Sequence, residues 1–520
     1  MSEKYAIECR GISKRFGGKV LANDKVDLQL QYGEILSLLG ENGSGKTTLM
    51  NMLSGIYRPD EGEIFVGGKE VFINSPVDAM DLGIGMIHQH FKLVDVFSAM
   101  DNIAIGTPGK RVAPAKLRTK IKEICERFGL EVDPDKKVYD MSVSEKQTVE
   151  ILKVLYRGSD ILILDEPTAV LTPQETRKLF AILKKMRDDG KAIIIITHKL
   201  NEVMEISDRV TVLRKGKSVA TVETASTDEL KLTELMVGHS VDLSIRRPET
   251  EKKEGVLKIS GLCVDGSDGT RALTDVSFEV RGGEILGVAG VAGSGQKELC
   301  EAITGLMPFD TGSIVLEGTE LKGKSPFEIL NLGVSISFVP EDRLGMGLVS
   351  SMGITDNMLL RTYYKTPGYF IDRKPAKEMA DKLIDKLKIL TPGTETPVRL
   401  LSGGNVQKVL LGREIEAAPK VLITAYAVRG LDINSSYAIY DLLNEQKEKG
   451  VAVLNVGEDL DVLLGLCDRI LVLCHGKITG IVDAKTTTKE QLGLMMTGAV
   501  KPAEDAANNA AKAGEEAAHV

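Results

Sequence analysis

Cysteine is scarce in this sequence and unpaired in its pattern. The six cysteines (Cys9, Cys125, Cys263, Cys300, Cys467 and Cys474) show neither C-x-x-C spacing nor a paired framework. A disulfide scaffold is therefore unsupported, and reduced thiols in the cytosol are expected. Long apolar runs are missing too. The opening "MSEKYAIECRGISKRF" has no apolar stretch of signal-peptide length, and the longest apolar pieces, "AIIIITH" and "DILILDEP", fall far short of a membrane span. They read as short buried strands, so any service to a membrane would come by docking on another protein. Strong charge is also lacking: a net charge of -8 argues against nucleic acid as the main partner. What remains is an ordinary globular composition, 43% hydrophobic and 27% charged, spread over 520 residues. That length exceeds what a single core usually sustains, and two or more domains are expected.

The domains are copies of each other. "YGEILSLLGENGSGKTTL" from Tyr32 is answered by "GGEILGVAGVAGSGQKEL" from Gly282, so that Gly33 pairs with Gly283 and Gly40 with Gly290. Further on, "SDRVTVLRKGK" from Ser207 is answered by "CDRILVLCHGK" from Cys467. The expected division is a first domain over residues 1–243, a polar linker over 244–255, a second domain over 256–500 and an Ala-rich, charged tail over 501–520 without apolar period.

The first copy carries a complete phosphate-binding grammar. An apolar strand, "EILSLLG", leads into "GENGSGKT" at 40 to 47 and then into "TLMNMLSGI" with helical spacing. The loop residues Gly40, Glu41, Asn42, Gly43, Ser44, Gly45, Lys46, Thr47 and Thr48 are the candidate nucleotide binders. Glycines let backbone N–H groups curl around phosphate oxygens, Lys46 reaches the β and γ phosphates, and Thr47 offers a hydroxyl to Mg²⁺. Downstream, "DILILDEPTAVL" sets Asp165 and Glu166 at the end of a buried strand. Asp165 is the candidate Mg²⁺ ligand and Glu166 the candidate base for the attacking water. His198 closes the next strand and could contact the γ phosphate; Gln89 could sense that phosphate; Phe16 could stack on adenine.

These motifs together resemble the ATPase subunit of an ATP-binding cassette (ABC) transporter, specifically the fused two-cassette kind that serves sugar and nucleoside importers. The resemblance covers nearly all of residues 5 to 500. The family signature Leu-Ser-Gly-Gly-Gln corresponds to "LSGGN" at 401 to 405 and more poorly to "MSVSE" at 141 to 145, and "VPEDR" at 339 to 343 matches the second cassette of this subgroup. "HQHFKLV" and "VLYRGSDILILDEPTAVLTPQE" are closer to nucleoside importers than to ribose or galactose ones. The resemblance implies an α/β fold of two tandem P-loop NTPase domains, each with a RecA-like core, an antiparallel β subdomain and an α-helical subdomain. It implies ATP and Mg²⁺ as ligands, with Gln89 joining Thr47 and Asp165 at the metal. It also implies transmembrane permease subunits as partners, an extracytoplasmic substrate-binding protein acting indirectly, and a place on the cytoplasmic face of the cell membrane. The stretches after Gln89 and after Glu341 would flank the groove where the membrane subunits dock.

The second copy keeps the frame and loses the chemistry. Lys46 becomes Gln296, Thr47 becomes Lys297, Asp165 becomes Ala425, Glu166 becomes Tyr426, His198 becomes Glu458, Gln89 becomes Glu341, and Phe16 falls among "DGSDGTR". In the head-to-tail pairing that the resemblance implies, the intact loop meets Ser402, Gly403 and Gly404, and the degenerate loop meets "MSVSE", where Glu145 would bring negative charge toward phosphate. Losses are thus sorted by shared site rather than by copy, and one hydrolysing site per chain is expected. Two rivals stand beside this reading: a soluble twin-cassette ATPase acting on ribosomes or nucleic acid, and a regulatory ATPase without transport. The short linker and the single broken site count against the first.

Overall fold

The computed structural model describes residues 5 to 499, apart from 18–19, 89–90, 106–112, 170, 198, 240–243, 267–268, 332–335, 341 and 364–369. Two compact units divide the chain, Met1–Leu243 and Ser244–Val520. The first unit runs β1 (Ile7–Phe16), β2 (Val20–Leu30), β3 (Ile35–Leu39), β4 (Glu61–Val66), β5 (Lys69–Val71), β6 (Ile84–Ile87), β7 (Ile161–Asp165), β8 (Ala192–Ile196), β9 (Arg209–Arg214) and β10 (Lys217–Glu223). A four-stranded antiparallel sheet has the order β2-β1-β4-β5, and a six-stranded sheet the order β10-β9-β3-β8-β7-β6. In the larger sheet β9, β3, β8, β7 and β6 are parallel and only the edge strand β10 is antiparallel.

The sequence explains that architecture. "ILSLL" of β3 and "AIIII" of β8 are buried at every residue, as befits parallel strands covered on both faces. The crossover helix Pro173–Asp188 begins where Thr172 and Glu175 form a reciprocal capping box around a proline at the first turn. Its apolar stripe, Leu179, Phe180, Leu183 and Met186, then joins the core with Ile193 and Ile195 of β8. Because β3 and β7 both neighbour β8 in a parallel array, the loop after β3 and the carboxylates after β7 emerge at the same carboxyl edge.

The second unit repeats the plan. It runs β11 (Lys253–Asp265), β12 (Arg271–Gly282), β13 (Ile285–Gly290), β14 (Thr311–Leu316), β15 (Thr319–Glu320), β16 (Ile336–Val339), β17 (Val421–Ala425), β18 (Ala452–Val456), β19 (Arg469–Cys474) and β20 (Lys477–Asp483). The sheet orders are β12-β11-β14-β15 and β16-β17-β18-β13-β19-β20, the same neighbours as in the first unit. The polar segment expected as a linker is not a loose tether at its start. Arg247 donates to the carbonyls of Leu464 and Cys467 at 3.0 Å, closing the end of the helix Leu460–Leu466, and Asn444 donates to the Arg246 carbonyl at 2.6 Å. No helix of the described residues is long and apolar enough to cross a membrane.

Candidate functional site

The intact loop is shaped by what a side chain would hit. A Cβ on Gly40 would lie 2.3 Å from the Leu213 carbonyl oxygen and 2.5 Å from Ser44 Oγ. Gly45, at φ 98°, sits in the left-handed region as the N-cap of the helix Lys46–Leu53. That helix has no side-chain cap and no acid in its first turn, so its first N–H groups are left for an anion. Lys46 is buried, and its Nζ donates to the carbonyls of Gly40 at 2.6 Å and Glu41 at 2.9 Å, spanning the loop it would share with a phosphate. Burial pulls its ammonium below the ordinary value, and the charges of Glu166, Asp165 and Glu41 oppose that pull. Thr47 is exposed, and Thr48 is half-buried.

Asp165 ends β7. Burial, with the neighbouring Glu166 charge, pushes its carboxyl up to about 6 against the attraction of Lys46. Two carboxyls and one ammonium thus share a partly desolvated corner with a surplus of negative charge, an arrangement a divalent cation relieves. Glu166 turns the chain at φ 46°, and its N–H donates to the Ile196 carbonyl at 2.9 Å. Tyr426 in the second unit has the same turn, φ 52°, with its N–H on the Val456 carbonyl at 2.9 Å. The left-handed turn therefore belongs to the fold, and only the side chain carried on it differs between copies. Gln89, His198 and Glu341 lie outside the described residues.

Phe16 is partly exposed at the end of β1, and its ring meets Tyr57 edge-on, centroids 5.2 Å apart and planes at 74°. Sequence reasoning missed Tyr57. Its signal was an exposed aromatic just past the first helix in a chain with 4% aromatic residues, at a position where the second copy has Met307.

The two signatures differ in how their helices begin. In the first unit Ser142 caps the helix Val143–Tyr156 in a capping box: Glu145 N–H donates to Ser142 Oγ at 3.2 Å, and Ser142 N–H to Glu145 Oε2 at 2.7 Å. Lys136 Nζ adds contacts of 2.7 and 2.9 Å to the same carboxylate. Burial works against the Glu145 charge, but Lys136 and Ser142 hold its carboxyl below the usual range. The expectation that Glu145 carries negative charge toward phosphate is thus corrected: the carboxylate folds back onto its own helix and is paired there. In the second unit the helix Gly403–Glu416 has Ser402 as N-cap, no side-chain cap and no acid in the first turn. Asn405 donates to Ser402 Oγ at 2.9 Å, and its Oδ1 accepts from Leu390 N–H at 3.0 Å. Ser402 and Gly403 are exposed.

The two signature glycines answer different demands. A Cβ on Gly404 would sit 2.4 Å from Ser435 Oγ, whereas one on Gly403 would meet only Arg343 Nη1 at 3.4 Å and Leu431 Cδ2 at 3.9 Å. A side chain at 404 would have to displace Ser435, whereas one at 403 would make only ordinary contacts. We expect Gly404→Ala to lower the unfolding free energy by about 1–3 kcal/mol and Gly403→Ala to change it by less than about 0.5 kcal/mol, measured by denaturant titration. Arg343, beside Gly403, was read only as part of a family motif; its counterpart in the first copy is Phe91.

The second nucleotide loop carries a neutral amide at the lysine position. Gln296 is buried where Lys46 stands in the first copy, and its Nε2 donates to the Val291 carbonyl at 3.3 Å, the counterpart of the Lys46 contact to Glu41. An amide thus replaces the loop contact and brings no charge. Lys297 is 72% exposed and lies 3.9 Å from Glu301, one turn along its own helix. In place of Asp165 and Glu166 stand Ala425 and Tyr426, both packed into the second unit's apolar core. Arg429 stands 5.9 Å from the Tyr426 ring centroid and 3.6 Å from Glu458, which replaces His198.

Comparison with known proteins places the chain in a family. The sequence profile described as ABC transporter matches residues 23–169 and again 273–424. The chain is 45% identical over 504 residues to the nucleoside import ATP-binding protein NupA of Lactococcus lactis subsp. cremoris, covering 96% of this chain and 99% of that protein. It is 45% identical over 511 residues to the guanosine import ATP-binding protein NupO of Bacillus subtilis, covering 97% and 100%. A ribose import ATP-binding protein, RbsA 1 of Rubrobacter xylanophilus, is 41% identical over 499 residues, covering 95% and 98%.

Proposed function

The chain belongs to the ABC transporter family as the ATP-binding subunit of an importer, and we propose that it powers uptake by hydrolysing ATP at one site only. That site is built on the first loop. Lys46 and the N–H groups of residues 43 to 48 hold the β and γ phosphates, Phe16 with Tyr57 holds the adenine, and Glu166 orients and deprotonates the attacking water. His198 supports the γ phosphate. Magnesium fits the donor set, since Thr47 and Asp165 offer hard oxygens beside surplus negative charge, with Gln89 completing it. The ion would neutralise phosphate charge when bound.

Ser402, Gly403 and Gly404, at the second signature, are the further phosphate-binding residues of this reading. The observation that carries this reading is the unequal pair of helix starts. The signature helix of the second cassette is uncapped and acid-free at its N-terminus, while that of the first is satisfied by its own Glu145 and Lys136. An uncapped start keeps its N–H groups for a phosphate oxygen, whereas a self-capped start has already used them.

Permease subunits receive the motion. Val94, Val96 and Phe97, after Gln89, and Met346, Val349 and Met352, after Glu341, are exposed apolar side chains suited to covering by membrane-subunit helices. Both cassettes would then transmit movement although one hydrolyses. The chain would sit on the cytoplasmic side of the membrane through these partners, with a substrate-binding protein delivering cargo from the other side. Nucleosides are the proposed cargo, supported by two 45% identical relatives named for nucleoside and guanosine import against 41% for a ribose importer. In a strain deleted for this chain, uptake of labelled guanosine is expected to fall at least tenfold and uptake of labelled ribose to stay unchanged. The reverse pattern would assign the chain to sugar import.

A further inference from the structure

The two copies brace their phosphate loops with the same frame and one differing residue. In the first unit Asp24 N–H donates to the Gly216 carbonyl at 2.8 Å, and Gly216 N–H to the Ser44 carbonyl at 3.1 Å. In the second, Thr274 N–H donates to Gly476 at 2.8 Å, and Gly476 N–H to Ser294 at 3.1 Å. Strand, hairpin turn and loop are tied identically. Within this frame the first unit places Asn23 under the loop, and the second places Leu273. Both are fully buried. Leu273 meets Gly295 through apolar contact alone, its Cδ2 2.5 Å from where a glycine Cβ would stand.

Asn23 does more than fill space. Its Nδ2 donates to the Gly45 carbonyl at 3.2 Å, and that carbonyl already accepts the first helical bond from Leu49 N–H at 3.0 Å. The equivalent Gly295 carbonyl keeps the helical bond, from Leu299 at 2.9 Å, and faces a hydrocarbon side chain. Since the peptide unit is planar, fixing the Gly45 carbonyl with two donors fixes the direction of the Lys46 N–H on the other side of the same unit. This hydrogen bond comes at a cost in stability, because Asn23 Oδ1 is buried with no hydrogen-bond partner among the described residues. Leu273 shows that an apolar residue fits the frame without that cost. At this position the pairing of buried polar atoms is broken in the copy that keeps its lysine and avoided in the other, which is where function is expected to overrule packing.

We propose that Asn23 is a positioning residue for nucleotide binding: it acts through the Gly45–Lys46 peptide to hold the phosphate loop in its binding shape. This inference rests on the reading that the first loop is the working site. The effect should appear in ground-state and transition-state binding alike, hence in KM more than in kcat.

The test exchanges the two residues in the full chain assembled with its permeases. Asn23→Leu is expected to raise the KM for ATP about tenfold, the loss of about one hydrogen bond. It should leave kcat within about threefold and the melting temperature unchanged or higher. Leu273→Asn is expected to lower the melting temperature and leave KM and kcat unchanged. If Asn23→Leu does not fold, Asn23→Ala is examined for ADP affinity, with the same tenfold weakening expected. Unchanged affinity in the folded variant, or an equal shift from Leu273→Asn, would overturn the proposal. The underlying reading fails separately: it falls if Lys46→Ala keeps its ATPase activity, whereas loss in Lys46→Ala with no effect of Asn23→Leu refutes the role of Asn23 alone.

Discussion

ATPase activity of the assembled transporter is expected to fall roughly a thousandfold in Lys46→Ala and in Glu166→Gln, and to stay within about threefold of the parent in Gln296→Ala and Lys297→Ala. The first magnitude follows from electrostatics. A cation about 4 Å from a phosphate oxygen is worth roughly 4 kcal/mol at an effective dielectric of 20, which is about three orders of magnitude in rate. Lys46 is the charge placed for that task, with its Nζ already inside the loop on the Gly40 and Glu41 carbonyls. Glu166→Gln keeps size and turn while removing the base. Gln296 contributes one neutral hydrogen bond to Val291, and the Lys297 ammonium lies over Glu301 on an exposed helix face, so neither places a charge inside the loop.

Asn405→Glu is expected to lower ATPase activity by about two orders of magnitude while leaving the fold about as stable as before. The substitution writes the S-x-x-E capping box of the first signature into the second, at the position that matches Glu145. A reciprocal cap adds about 1 kcal/mol, and loss of the Asn405 acceptor for Leu390 N–H removes about as much. Activity moves differently. The cap occupies the N–H groups a phosphate oxygen would take, and the added carboxylate keeps its charge, because Thr396 stands where Lys136 pairs with Glu145 in the first copy. The mirror variant, Glu145→Asn, should lose about 1 kcal/mol of stability and keep its ATPase activity within about twofold. Thermal unfolding and steady-state phosphate release on both variants give the comparison. Equal activity in the two would refute a special role for the second signature.

The sequence revealed the fold through its repeat and through apolar runs such as "AIIII" and "ILIL", which fix buried parallel strands by composition alone. The phosphate loop was legible for the same reason: glycines at left-handed positions and a following helix leave a narrow choice of backbone. Features set by tertiary contact were harder to read. Asn23 reads as one more polar residue in a strand until the loop is seen lying on it. Glu145 had a readable signal, since Ser and Glu three apart before an apolar helix is a capping pattern. Only the Lys136 contact, from outside that helix, shows that the charge is neutralised locally. Tyr57 and Arg343 come from loops, where spacing says little about which side chain another element meets.

The central claim, one hydrolysing site per chain on the first loop, is tested most directly by trapping with orthovanadate and ATP radiolabelled at the α phosphate, in the assembled transporter. One trapped ADP per chain is expected, abolished by Lys46→Ala and retained in Gln296→Ala. Two trapped ADP per chain, or trapping that survives Lys46→Ala, would contradict it.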